Sequence, residues 1–268
     1  MSNISITSGM RANLQNLQTI AAEIEKTQTR LATGKKVNSA LDDAVSFFSA
    51  SSFNNRADDL ASLKNSMSNA IQTIKAADTG ILNITTLINS ARAIAISAKT
   101  STDKADLEQQ FDSIMKQIED VAVDSGYGGN NLLSADTLSV SFNPSGTNVL
   151  TVTGTATTAT SIAGKAIVAA DFGDSTGIDA AISSLDLGLS ALRAQGASLG
   201  ANFSIISVRD KFTTEMISVL RAGADNLVLA DMNEESANLL MLQTRQSLST
   251  TALSLASQSA QSILKLFT

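Results

Sequence analysis

The sequence predicts a mainly α fold: an elongated antiparallel helical hairpin and coiled-coil bundle, with a terminal helix pair and a small β-rich insert. Three observations point to it. Proline, which breaks helix interiors, occurs once in 268 residues, at Pro144. Apolar residues recur at heptad spacing through both outer thirds of the chain. Most of the 15 glycines fall between Gly126 and Gly200, and the apolar spacing changes to a period of two within that stretch.

The first long helix carries two seams. One register reads Leu60, Met67, Ile74, Ile81, Ile88 and Ala95; its companion reads Leu63, Ala70, Ala77, Ile84, Ala91 and Ala98. Seams offset by three and four residues predict a coiled-coil helix, about 58 Å long over residues 60–98 at roughly 1.5 Å per residue. Gly80 costs it about 1 kcal/mol of propensity, which packing overrides. Ser101-Thr102-Asp103 signals the start of a second helix bearing Leu107, Phe111, Ile114, Ile118 and Val121. A third seam runs Ile182, Leu189, Gly196, Phe203, Asp210, Ile217, Ala224, beside Leu185, Leu192, Leu199, Ile206, Thr213, Leu220, Leu227. Three amphipathic helices need one another to cover their stripes, hence a bundle.

Residues 125–177 read differently. SGYGGNNLL is turn-forming, TLSVSF and NVLTVTGTA alternate apolar with polar, and Asn143-Pro144-Ser145-Gly146 lies between them. That pattern predicts a β-hairpin. The Thr-rich TGTATTATSIAG reads as a solvated loop, so this insert is expected to be surface exposed and to project from the bundle.

The termini supply a last layer. Leu14, Leu17, Ala21, Ile24 and Leu31 lie on three-four spacing at one end; Leu248, Ala252, Leu255, Ser259, Ile263 and Leu266 do so at the other, with Phe267 beyond. Polar elbows, ATGKKVNSALDD at 32–43 and ADMNEES at 230–236, separate these helices from the bundle. From Gln246 to Leu264 there is no charged residue. Solvent-facing helices usually carry Lys and Glu, so a helix with only small uncharged residues between its leucines suits one surrounded by protein. Fully burying Leu248, Leu255, Ile263, Leu266 and Phe267 contributes about 10 kcal/mol, which rivals the net stability of a domain. The tail reads as an assembly element rather than a disordered end.

Composition removes most chemistry. With no histidine and no cysteine, the chain has no Cys nucleophile, His-based triad, His/Cys zinc site or disulfide. A net charge of −6 argues against nucleic-acid partners, whose binding is driven by basic patches. No run is expected to span a membrane, and the amphipathic ends lack the flanking basic residues of a lipid-surface helix. MSNISITSGMRANLQNL lacks the pattern of a conventional signal peptide. Ser101-Thr-Asp-Lys104 matches SxxK without the companion elements of that mechanism and reads as a helix start. No cofactor or metal is expected.

The residues around the elbows then carry a resemblance. TQTRLATGKKVNSALDDAVSFFSASSFNNRADDL, with Arg30, Leu31, Thr33, Gly34, Lys35, Asn38, Ser39, Ala40, Asp42 and Asp43, closely resembles the N-terminal signature of bacterial flagellins. ADMNEESANLLMLQTRQSLSTTALSLASQSAQSILKLF resembles their C-terminal signature, and GGNNLL the turn before their variable region. The resemblance covers roughly four fifths of the chain.

It implies a short-insert subunit that polymerises into the filament of the bacterial flagellum for swimming motility, with a hook–filament junction protein as the alternative. Residues 1–42 with 235–268 are expected to pair as the inner filament core, 43–124 with 178–234 to form the long-rod bundle, and 125–177 the exposed insert. The partners implied are other copies of the chain, an export chaperone and export gate, and hook-associated and cap proteins, with secretion through the flagellum's own type III apparatus. The inner-core packing residues expected are Leu14, Leu17, Ile24, Leu31, Leu248, Leu255, Ile263, Leu266 and Phe267.

In the elbow, Gly34 is free to adopt positive φ. Asn38 or Ser39 is placed to cap the next helix, with Asp42 and Asp43 near its positive end. Arg92 aligns with an arginine through which an innate immune receptor recognises the family, but Ala93 follows where an acidic residue is usual, so weak or absent signalling is expected.

Overall fold

The structure, a computed structural model, describes residues 8–266, with side chains to residue 262. Five helices and two small sheets follow in the order α1 (Ser8–Thr33), α2 (Ala44–Ala98), α3 (Lys104–Asp124), β1 (Thr137–Ser141), β2 (Val149–Thr153), β3 (Ser161–Ile162), β4 (Lys165–Ala166), α4 (Ser175–Val228) and α5 (Met232–Leu266). Contacts divide the chain into two compact units. One is Ala57–Ser218; the other takes in the chain up to Arg56 and from Val219 onward. The boundary falls inside α2 and inside α4.

The larger unit is built on the predicted seams. Leu60, Met67, Ile74, Ile81, Ile88 and Ala95 are all buried, as are Ala70, Ala77, Ile84, Ala91 and Ala98 of the companion register. On α4 Leu185, Leu192, Leu199, Ile206 and Thr213 are buried opposite them. The two helices run antiparallel: Lys99 pairs with Asp179, Arg92 with Asp186, and Lys75 lies over the Phe203 ring at 5.9 Å. α3 adds Phe111, Met115, Ile118 and Ala122, and Phe111 meets Phe172 edge-on at 5.6 Å. Its N-cap residue Asp103 makes no side-chain cap; its own amide donates to Ser101 Oγ at 3.1 Å.

The insert forms the predicted hairpin. β1 and β2 pair antiparallel in a register that sets Leu138 against Val152 and Val140 against Leu150. The turn closes on Asn143, whose amide donates to Ser145 Oγ at 2.8 Å and Thr147 Oγ1 at 2.7 Å.

Two expectations need correcting here. The Thr-rich stretch is not a solvated loop: it holds β3 and the turn into β4, and Ile162 is fully buried and Thr157 nearly so. Nor does the insert merely project from the bundle. Leu132, Leu133, Val140, Val152, Ile162, Ile167 and Phe172 join the same core as α2, α3 and α4. The reason lies in the GGNNLL turn. Asn131 Nδ2 donates to the last carbonyls of α3, Ala122 and Val123, both at 2.8 Å. That lays Leu132 and Leu133 against α2, and their carbonyls then accept from Thr155 and Thr157, each at 2.9 Å.

The expectation that no run spans a membrane also needs amending. α2 is long and apolar enough by length and composition, with an 18-residue window of mean hydropathy 1.3. Its Ile/Ala seam, which raises that hydropathy, is committed to the bundle core.

Candidate assembly surface at the paired termini

The smaller unit is organised by its two elbows, which pair with each other. Lys36 N–H donates to Val228 O at 2.8 Å, Ala230 N–H donates to Gly34 O at 2.9 Å, and Lys35 bridges Leu229. Gly34 ends α1 with φ +70°, the conformation a helix stop of this kind requires, and its amide donates to Arg30 O at 2.8 Å. Beside the elbows Val37, Ala50, Ala224 and Val228 form a second small core, flanked by Phe47 and Leu227.

The capping roles differ from those expected. Neither Asn38 nor Ser39 caps α2. Pairing with Val228 holds residues 35–37 extended, so the helix begins later and Asp43 caps it. Its Oδ1 accepts from the amides of Val45 (3.0 Å) and Ser46 (3.2 Å), and its Oδ2 from Ser46 Oγ (2.7 Å). Asp42 instead closes the turn, its Oδ2 accepting from the Asn38 and Ser39 amides, both at 3.1 Å. The Asn38 and Ser39 amides hold the Asp42 carboxyl below its ordinary range. The Ser46 hydroxyl, followed by the Ser46 amide, does the same for Asp43.

α1 and α5 pack against one another. Leu17, Ile20, Ile24, Thr27 and Leu31 turn toward α5, which presents Glu235, Leu239, Leu242, Gln246, Ser249 and Leu253. Leu17, Ile24 and Leu31 are half-buried in the pair, whereas Leu14 is 46% exposed on its rim. Leu248 and Leu255 are not in the pair seam: they are 66% and 60% exposed, and Leu240 and Met241 are exposed with them. Ile263 and Leu266 lie on α5 beyond the described side chains, and Phe267 lies outside the described residues.

The α1-facing side of α5 carries a contact that sequence reading missed. Arg30 Nη1 meets Glu235 Oε1 at 2.8 Å, and Glu235 is only 7% exposed. Asp231 caps the helix start through the Asn233 amide at 2.9 Å. This part-buried ion pair shares a face of α5 with Leu239, Leu242, Gln246, Ser249 and Leu253, the face turned toward α1. At 3.6 residues per turn Met241, Leu248 and Leu255 fall on one line, roughly 80° to 180° around the helix from Gln246 and Ser249.

Arg92 is half exposed on α2, its Nε 3.1 Å from Asp186 Oδ1, an ion pair without hydrogen-bond alignment. Among the described residues no cluster of acidic side chains is arranged to hold a metal ion.

Paired terminal helices that keep an uncovered apolar row, joined by mutually paired elbows to a coiled-coil bundle, define a structural subunit of a self-assembling kind. The profile of the bacterial flagellin N-terminal helical region matches residues 4–137, and that of the C-terminal helical region matches residues 178–267. Flagellin FljM of Caulobacter vibrioides is 32% identical over 279 residues, covering 100% of this chain and 99% of its own. A flagellin of Brucella melitensis is 31% identical over 281 residues with the same coverage. Among solved structures, Bacillus cereus flagellin aligns with 55% of this chain and 88% of its own at a TM-score of 0.46 and 14% identity.

The chain belongs to the bacterial flagellin family. It is a structural subunit of the flagellar filament, an extracellular appendage; full-length kinship with flagellins favours this over the hook–filament junction alternative.

Proposed function

We propose that the subunit enters the filament by having neighbouring copies cover the row that α5 leaves open, with the paired elbows setting the angle at which the terminal helices are presented. The observation that carries this is the exposure of Leu240, Met241, Leu248 and Leu255 on a helix that has no charge from Gln246 to Leu264. Ile263, Leu266 and Phe267 extend the same assembly role toward the chain end. The subunit does no chemistry; its work is geometry and stiffness.

In this reading the chain is secreted unfolded through the flagellar export gate, escorted by an export chaperone. It then assembles beneath a cap protein onto hook-associated proteins. Receptor recognition through Arg92 is weak, because its guanidinium is occupied by Asp186 and Ala93 offers no acidic neighbour.

The test is Leu248→Ser with Leu255→Ser. Both side chains are exposed, so monomer melting is expected to stay at the wild-type value. Two leucines left uncovered in the polymer cost about 2–4 kcal/mol, which raises the critical concentration for seeded growth roughly thirty- to several-hundred-fold. Growth at wild-type concentration overturns the proposal.

A further inference from the structure

The larger unit carries a cleft of about 360 Å³ between α2 and the turn that leads from α3 into the insert. Ser66, Asn69 and Thr73 come to it from α2, Tyr127 and Asn130 from the turn, and Ser139 from β1. Thr73 is only 4% exposed, and its hydroxyl donates to the Asn69 carbonyl at 3.1 Å. The side chains of Ser66, Asn69, Tyr127, Asn130 and Ser139 make no hydrogen bond among the described residues. Elsewhere in the unit the same residue types are engaged. On α2 the hydroxyls of Thr79, Thr86, Ser90 and Ser97 donate to carbonyls four residues back, whereas that of Ser66 does not. The adjacent asparagines divide in the same way. Asn131 commits its whole carboxamide to the fold, donating to Ala122 and Val123 and accepting from the Leu133 amide at 2.9 Å. Asn130 commits none of its own.

The turn fixes how these groups are presented. Gly128 and Gly129 sit at φ +60° and +85°, the positive values that a type I′ turn requires at both central positions. Tyr127 N–H donates to Asn130 O at 2.9 Å, and Asn130 N–H donates to Tyr127 O at 3.1 Å. Residues that exchange both backbone bonds carry their side chains on one face, so the phenol and the carboxamide stand side by side on the cleft wall.

The lining selects the ligand. Among the described residues no charged side chain lines the cleft, so an ion of either sign finds no counter-charge there. Its apolar surface is the Tyr127 ring with Leu138 and Ala70, too little for a lipid chain. Hydroxyls and carboxamides each donate and accept. They match a neutral ligand that bears hydroxyls around its rim and a C–H face for the tyrosine ring. With each C–O unit given a liquid water's share of about 30 Å³, a hexose takes roughly 180 Å³ and two linked hexoses fill the cleft. We propose that this cleft binds a neutral saccharide, with Tyr127 stacked on the sugar ring and Ser66, Asn69 and Asn130 holding its hydroxyls. The proposal stands apart from the assembly of the terminal helices.

Tyr127 is the chain's only tyrosine and there is no tryptophan, so tyrosine emission reports on this cleft alone. Full-length monomer is titrated with glucose, galactose, mannose, maltose and lactose, with glucuronate and glucose 6-phosphate as charged controls. At least one neutral sugar is expected to change the emission saturably with a Kd of about 1–10 mM, the weak range of an open site whose polar groups already bind water. The charged controls are expected to bind about tenfold more weakly, since their charge loses water without gaining a partner. Asn69→Ala and Asn130→Ala, on opposite walls, are each expected to raise Kd about two- to tenfold with melting unchanged. Saturation-transfer NMR on the sugar reads Tyr127→Ala, in which binding is expected to disappear. No saturable response to any neutral sugar up to about 100 mM overturns the proposal. So do charged sugars that bind as tightly as neutral ones, or binding that both asparagine variants leave unchanged.

Discussion

Replacing Gly34 by valine asks how much the elbow's backbone matters to assembly. Gly34 sits at φ +70°, and a Cβ built there has no atom within 4 Å. A side chain therefore meets open space, and its cost is purely conformational. An L-residue in the left-handed region costs about 1–2 kcal/mol, with β-branched valine at the upper end and asparagine at the lower. The elbow has little freedom to relieve that strain by drifting. The Gly34 amide is tied to Arg30 O at 2.8 Å, and the Gly34 carbonyl to the Ala230 amide at 2.9 Å. A strain of about 1–2 kcal/mol per incorporated subunit multiplies the critical concentration roughly five- to thirty-fold. The assay is seeded growth of Gly34→Asn, Gly34→Ala and Gly34→Val, with residual monomer measured after sedimentation. The expected order of critical concentration is wild type, Asn, Ala, Val. Export of Gly34→Val into the medium is expected near the wild-type level, because an unfolded chain has no elbow to strain. Val filaments of normal shape at the wild-type critical concentration refute the reasoning.

Gly80→Ala in α2 gains about 1 kcal/mol of helix propensity, yet its Cβ would overlap Ser125 Oγ, come within 2.8 Å of Ser125 Cβ and within 2.7 Å of Leu133 Cδ1. Overpacking of about 1–3 kcal/mol and loss of the Ser125–Val121 hydrogen bond outweigh that gain. Thermal melting is expected to drop by several degrees and to recover with Ser125→Gly in the same chain; a rise in the single variant contradicts this. Glu235→Ala leaves Arg30 unpaired and is expected to cost about 1–2 kcal/mol, discounted because 29% of the Arg30 side chain reaches solvent. Faster hydrogen exchange at the Lys36 and Ala230 amides, with the Ala57–Ser218 core unchanged, is the readout. Asp42 and Asp43 have folded pKa values below their ordinary 3.8. Their stabilisation is therefore complete above about pH 3.8 and is lost as the pH falls through the lower folded values. Elbow amide protection is expected to hold from pH 7 to 5 and collapse in acid, with Asp43→Asn flattening that acid transition.

Periodicity made much of the fold legible. Every position of the two α2 seams from Met67 onward is buried, because heptad spacing is a local property that states which face is covered before any partner is known. The hairpin was legible for the same reason, since alternation in TLSVS and VLTVT sets the inward Val140 and Val152. The β3–β4 turn was not, because two-residue strands are too short to show a period and the burial of Ile162 depends on Asn131 anchoring the preceding turn. In the elbow the sequence offered Asn38 or Ser39 as the cap, with Asp42 and Asp43 as charges near the helix's positive end. Pairing of residues 35–37 with the far end of α4 chose among them.

What the sequence determined by itself is the set of long helices, their seams, the insert and the charge-free greasy end, all of which follow from short-range spacing and composition. What only the tertiary structure decided is the rotation of α5. A part-buried Arg30–Glu235 pair, 205 residues apart in the chain, lies on the α5 face that holds Gln246 and Ser249 inward and leaves Leu248 and Leu255 outward. A contact across that separation leaves no trace in local periodicity, and its outcome is the apolar face left open for the next copy.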